Sequence, residues 1–178
     1  PTMGGVFIIL PFLLLLLALN SNFDSIGILL VFFSTLGFFI IGFLDDYLSI
    51  INKKNTGLKA KEKFILQAFI SILFFVFASQ NNYISPLITI SNNWNINTNI
   101  ALFPICFLTI VGLSNAVNLT DGLDGLASGC SSIVFYGLGT EILIKDQKEL
   151  VIYGLISFAM SGLCMGFLKF NKYPAKIF

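Results

Sequence analysis

The sequence predicts an all-α fold: a polytopic integral membrane helix bundle of about six transmembrane helices with one short extracytoplasmic hairpin. Three observations predict it. Of 178 residues, 56% are hydrophobic and 11% are charged, against roughly 25% charged in soluble domains, and mean hydropathy is +0.90. Apolar runs near the length needed to cross a hydrocarbon core recur along the chain. The charges fall between those runs, with a strong bias in sign and side.

Taken in order, the first run is Val6–Leu19, short for a span and extended by Gly4 and Gly5. No basic segment precedes it and further spans follow, so it does not read as a secretory signal. Ile26–Leu44 and Phe64–Ser79 are the next two runs. Residues 80–99 carry no charge and alternate apolar and polar side chains around Leu87–Ile90, the pattern of a hairpin. Ile100–Val117, Leu126–Ile144 and Val151–Phe170 complete the set.

Counting faces from the N-terminus tests this topology. One face receives Lys53, Lys54, Lys59, Lys61, Lys63, Lys169, Lys172 and Lys176, the other only Lys145 and Lys148. That asymmetry makes the first face cytoplasmic. Asp45, Asp46, Glu62, Asp121 and Asp124 fall on the same face, although they played no part in assigning it. The chemistry is therefore expected on one side of the membrane.

Composition also excludes. All ten basic residues are Lys, and there is no His, which removes imidazole acid–base work and histidine-ligated zinc from this stretch. Cys106, Cys130 and Cys164 stand singly in apolar runs and read as small buried hydrophobes. Nothing in the charge pattern points to nucleic acid.

Two constellations carry chemistry. Asp45-Asp46 directly follows the second run. Adjacent carboxylates there are costly to desolvate, whereas a divalent cation such as Mg2+ prefers carboxylate oxygens and substrate phosphates. Asn115-Ala-Val-Asn118-Leu-Thr-Asp121-Gly122-Leu-Asp124-Gly125-Leu-Ala-Ser-Gly129 crowds polar residues and glycines at the end of the fourth run. A helix cap explains one or two of them, not two Asn, two Asp and a Thr. If helical, Asn118, Asp121 and Asp124 share one face, and Gly122, Gly125 and Gly129 allow close backbone approach. The lysines of the 52–63 loop suit anionic head groups or a diphosphate. Together these features suggest phosphoryl transfer between a soluble donor and a lipid.

With these residues in hand, the chain resembles the bacterial phospho-N-acetylmuramoyl-pentapeptide transferases, within the polyprenyl-phosphate N-acetylhexosamine-1-phosphate transferase superfamily. The resemblance is carried by Pro1-Thr2-Met3-Gly4-Gly5, Asp45-Asp46-Tyr47, Gly57-Leu58, Asn115–Gly129 and Phe170-Asn171-Lys-Tyr-Pro174-Ala-Lys-Ile-Phe178. It implies transfer of phospho-MurNAc-pentapeptide from UDP-MurNAc-pentapeptide to undecaprenyl phosphate, giving lipid I and UMP with Mg2+ required. It also implies a bacterial plasma membrane location, a cytoplasmic active site and, as the family is often dimeric, a homodimer. Asp45 matches the base that deprotonates the lipid phosphate, or in a two-step scheme an aspartate is the nucleophile; the sequence leaves both open. Asp46 falls beside the metal and diphosphate. Asn118, Asp121, Gly122 and Asp124 match the nucleoside pocket, with Thr2 nearby, and Lys53 and Lys61 match phosphate-side lysines.

Two departures stand out. Ser49 occupies the position where the family's Asp-Asp-x-x-Lys pattern has Lys, and Lys53 is the residue expected to replace it. The chain also reads as one transmembrane transferase domain over 1–178, truncated at both ends and so inactive alone. The alternatives are a sister transferase using UDP-GlcNAc, a membrane prenyltransferase reading Asn118-x-x-Asp121-x-x-Asp124 as a diphosphate motif, and a transporter with intramembrane carboxylates.

Overall fold

A computed structural model describes residues 3–23, 25–52, 57–85, 87–91, 94–97, 101–145 and 148–177. Its elements are α1 (Gly5–Phe23), α2 (Ile26–Asn52), α3 (Ala60–Gln80), β1 (Leu87–Ser91), β2 (Trp94–Asn97), α4 (Leu102–Thr120), α5 (Leu126–Ile144) and α6 (Val151–Asn171). A 3-10 turn, Lys148–Leu150, leads into α6. Helices α2 to α5 and the stretch Lys148–Asn171 are each long and apolar enough to cross a membrane, and α1 supplies a shorter apolar stretch, Gly5–Ser21. The chain is a polytopic helical membrane protein. Large apolar side chains such as Leu14, Phe33 and Ile133 are well exposed on the helices, which costs nothing where lipid replaces water.

The expected hairpin is present. β1 and β2 pair antiparallel, with Leu87 opposite Asn97, Ile88 opposite Ile96 and Thr89 opposite Asn95, and the register slips between Thr89 and Ser91. One boundary departs instructively from the sequence reading. The apolar run ends at Leu44, but α2 continues through Asp45 and Asp46 to Asn52. Hydropathy marks where the run leaves the hydrocarbon; helix ends depend on backbone breakers, and Asp45–Asn52 contains neither Gly nor Pro.

The chain divides into two compact units, residues 19–115 and residues 1–18 with 116–178. Within the first, α2 packs on α3 at Gly37, where a Cβ would stand 2.8 Å from Ile70 Cδ1. The Gly27 amide at the start of α2 donates to the Tyr83 hydroxyl at 2.9 Å, satisfying one of the amides a helix start leaves open. A polar clasp ties α3 to α4: Gln67 is 1% exposed, its Nε2 donates to Ser114 Oγ, and its Oε1 accepts from Asn115 Nδ2. Further along the two helices, Phe75 packs edge-on against Phe103.

Within the second unit, α5 and α6 pack through small residues, as membrane helices do when backbones must approach closely. A Cβ on Gly139 would lie 3.1 Å from the Gly154 carbonyl oxygen. Ser132 Oγ donates to the Ser161 carbonyl and Ser161 Oγ to the Ser132 carbonyl, so each hydroxyl finds a partner where no water reaches.

Candidate functional site

Asp45 lies on α2 directly after the apolar run, and its carboxylate is bound on both oxygens. Oδ1 accepts the Leu58 amide at 2.8 Å and Oδ2 pairs with Lys63 Nζ at 3.0 Å. Both side chains are largely covered, Lys63 at 17% and Asp45 at 25% exposure. Gly57 makes this approach possible, because a Cβ there would collide with the Asp45 backbone and with Oδ1. The carboxylate thus anchors the return of the chain from α2 to α3. Glu62 adds to that return by accepting the Lys59 amide at 3.0 Å, in the first turn of α3, where a negative charge suits the helix dipole.

Ser49, the residue standing where the family pattern has Lys, donates its hydroxyl to the Asp45 carbonyl one turn back. It is turned onto its own helix and does not extend a charge. Asp46 and Lys61 are exposed. Thr2 and Lys53 lie outside the described residues.

The second constellation is not one continuous helix. α4 ends at Thr120, residues 121–125 reverse the chain, and α5 starts at Leu126. Asn118 and Asp121 keep their helical relation, since the Asp121 amide still bonds the Val117 carbonyl, but Asp124 lies beyond the reversal and leaves the shared face expected of it. Gly125 makes the reversal, at φ +77°, a conformation other residues rarely adopt. A Cβ there would also press on Leu168 and Lys172. Gly122 and Gly129 do not bear out the same reading: added Cβ atoms would meet only ordinary contacts, at 3.7 and 4.0 Å.

Several polar groups of this stretch are taken up structurally. Asn115 donates to Gln67 and to the Val111 carbonyl, Thr120 donates to the Ala116 carbonyl, and Asp124 Oδ2 accepts the Ala175 amide at 2.9 Å. Asn118, Asp121 and Gly122 are exposed. Asn171 falls in the Phe170–Phe178 segment that carries the resemblance, but the sequence assigned it no role. It is 2% exposed, and its Oδ1 accepts from the Gly125 amide and from Ser128 Oγ. A lone Asn at the end of an apolar helix carries no sequence signal of a contact so far away. Lys63 was missed as a partner of Asp45 for the same reason.

Carboxylate oxygens are the donors magnesium prefers, yet the described residues do not assemble a site for it. Asp45 is neutralised by Lys63, so a cation there must displace or share with the ammonium group. Asp46 is the next residue on the same helix, and such neighbours do not face each other. Among the described residues, no three acidic, cysteine or histidine side chains gather to hold a metal ion.

Over its whole length the chain is 79% identical to a phospho-N-acetylmuramoyl-pentapeptide-transferase of Prochlorococcus marinus subsp. pastoris, of which it covers 50%. It is 42% identical to one from Prochlorococcus marinus (strain NATL2A), covering 48% of it, and 38% identical to one from Bacillus subtilis, covering 55%. The chain thus spans about half the length of the curated relatives it matches. The family model described as glycosyl transferase family 4 matches residues 28–178, and on that match the chain belongs to glycosyl transferase family 4.

Proposed function

We propose that the protein transfers phospho-MurNAc-pentapeptide from UDP-MurNAc-pentapeptide to undecaprenyl phosphate, releasing UMP and forming lipid I in peptidoglycan synthesis. The observation that carries this reading is the Asn115–Gly129 stretch, presenting Asn118 and Asp121 beside a glycine-made reversal, in a chain whose relatives are named for that transfer. The lysine asymmetry supports a plasma membrane enzyme with its active face in the cytoplasm. Phosphoryl transfer relies mainly on positioning and charge stabilisation. Asn118 and Asp121 would hold the nucleotide, Lys61 would meet phosphate, and Asp45 would take the proton of the lipid phosphate. To do so, Asp45 needs only a spare lone pair, because each carboxylate oxygen has two. The proposal includes a magnesium requirement and a homodimer for the whole protein.

The test uses full-length protein in detergent with undecaprenyl phosphate and magnesium, following UMP release from UDP-MurNAc-pentapeptide and from UDP-GlcNAc in parallel. Release from the muramoyl donor alone, abolished by EDTA, is the expected outcome. Release only from UDP-GlcNAc would move the protein to a sister activity. No release from either donor would overturn the transferase reading.

A further inference from the structure

Asn171, at the end of α6, and Asp124, in the reversal after α4, make a reciprocal clasp. The Gly125 amide donates to Asn171 Oδ1 at 3.1 Å, and the Ala175 amide donates to Asp124 Oδ2 at 2.9 Å. Each segment thus gives one backbone amide to a side chain of the other. Ser128 Oγ adds a second donor to Asn171 Oδ1 at 3.1 Å, while Asn171 Nδ2 donates to the Ile177 carbonyl at 2.9 Å. The segment after α6 is itself folded back, through the Lys176 amide on the Phe170 carbonyl. Asn171 therefore uses both acceptor positions and one of its two donors, with almost no exposure.

The chain around Gly125 gains its order from this contact. Residues 121–125 have no helix or strand ladder of their own, and Gly125, lacking a side chain, has the widest choice of backbone conformations. Its carbonyl is held by the Gly129 amide and its amide by Asn171, so both polar groups of the hinge residue are fixed. Asp121 and Gly122 lie three or four residues before that point. A short turn pinned at one end by a helix and at the other by a buried amide pair can hold two ligand groups in register.

We propose that Asn171 is a positioning residue for nucleotide binding: through the Gly125 amide and the Asp124–Ala175 contact it fixes the 121–125 turn that presents Asp121 to the nucleotide donor. This rests on the proposed transferase reading in naming the nucleotide as the ligand.

The test compares full-length wild type with Asn171→Ala, Asn171→Asp and Ser157→Ala. Ser157 is buried in α6 but bonds its own helix at the Tyr153 carbonyl, so its loss controls for general destabilisation. Amide hydrogen exchange in a peptide covering 121–126 should quicken in Asn171→Ala and stay near wild type in Ser157→Ala. KM for UDP-MurNAc-pentapeptide should rise roughly ten- to hundredfold, the scale expected when binding groups are misplaced by about an ångström, with KM for undecaprenyl phosphate within about twofold. Asn171→Asp keeps the oxygen that faces the Gly125 amide and Ser128 but loses the donor to the Ile177 carbonyl and buries a charge, so its exchange over 121–126 and its KM should lie between wild type and Asn171→Ala. Equal rises in both KM values, or unchanged exchange over 121–126 in Asn171→Ala, would overturn the proposal. If Asn171→Ala does not fold, exchange over 121–126 and the two KM values in Ser128→Ala, which removes one donor to Asn171 Oδ1, decide it by the same criteria. Wild type that releases no UMP from either UDP-sugar would overturn the transferase reading, while the exchange result would still decide the clasp.

Discussion

At the scale of single residues, Asp45 holds two positions at once: it closes the α2–α3 return through the Leu58 amide and Lys63, and it is the carboxylate assigned to proton transfer. Two variants separate these. Asp45→Asn keeps an oxygen for the Leu58 amide but loses the ion pair with Lys63, so its melting temperature should fall about as far as that of Lys63→Ala, while UMP release should fall at least about a hundredfold, the usual worth of a general base. Lys63→Ala leaves a mostly covered carboxylate without its counter-ion. That should cost about 1–2 kcal/mol of stability, between the values for exposed and fully buried pairs, seen as a lowered melting temperature in detergent. An Asp45→Asn variant that melts early and keeps its turnover would make the carboxylate a purely structural group. Asp45 was legible in the sequence because paired acids beside an apolar run demand an explanation. Lys63 was not, because it meets Asp45 only after an 18-residue excursion through Gly57, and one lysine among several in that loop carries no mark of its partner.

At the scale of elements, the spans were readable because lipid requires long apolar helices and little else has that pattern. Leu126–Ile144 was read to the residue, whereas α2 overran its apolar run by eight residues to Asn52. What the pattern did not contain was which face of each helix meets which neighbour. In α5 that face is set by size: Gly139 lies against Gly154 and Phe158, while Gly137 has nothing within 4 Å. Gly139→Val should therefore destabilise the protein by about 1–3 kcal/mol, the range for overpacking, as the α6 backbone cannot give way as a flexible side chain would. Gly137→Val, two residues earlier on the same helix, should melt with the wild type. Thermal unfolding in detergent compares them, and equal melting of the two variants would remove Gly139 from the α5–α6 interface. The motif reversal shows the same limit. Its glycines were visible, but only the fold distinguishes Gly125, at positive φ and pressed against Leu168, from Gly122 and Gly129 with room to spare.

At the scale of the whole molecule, orientation follows from charge. A lysine moved to the wrong side must be translocated, and only residues close to the spans weigh in that balance. The ends of single helices pose the question most sharply. α6 has Lys148 before it and Lys169, Lys172 and Lys176 at or after its end; α3 has Lys59, Lys61 and Lys63 at its start and no charged residue from Phe64 to Gln80. Both helices should place their lysine-rich ends in the cytoplasm. After Cys106, Cys130 and Cys164 are replaced, single cysteines at Lys59 and Lys172 should resist a membrane-impermeant thiol reagent added outside intact cells. Cysteines at Asn82 and Lys148 should react. A UDP-sugar is made and kept in the cytoplasm, so the residues proposed to bind it need the face that resists labelling. Labelling of Lys172→Cys from outside would put the turn after α6 on the far side, and the 121–125 reversal clasped to it would go with it. The nucleotide reading would then fail on access alone, whatever the geometry of Asn118 and Asp121.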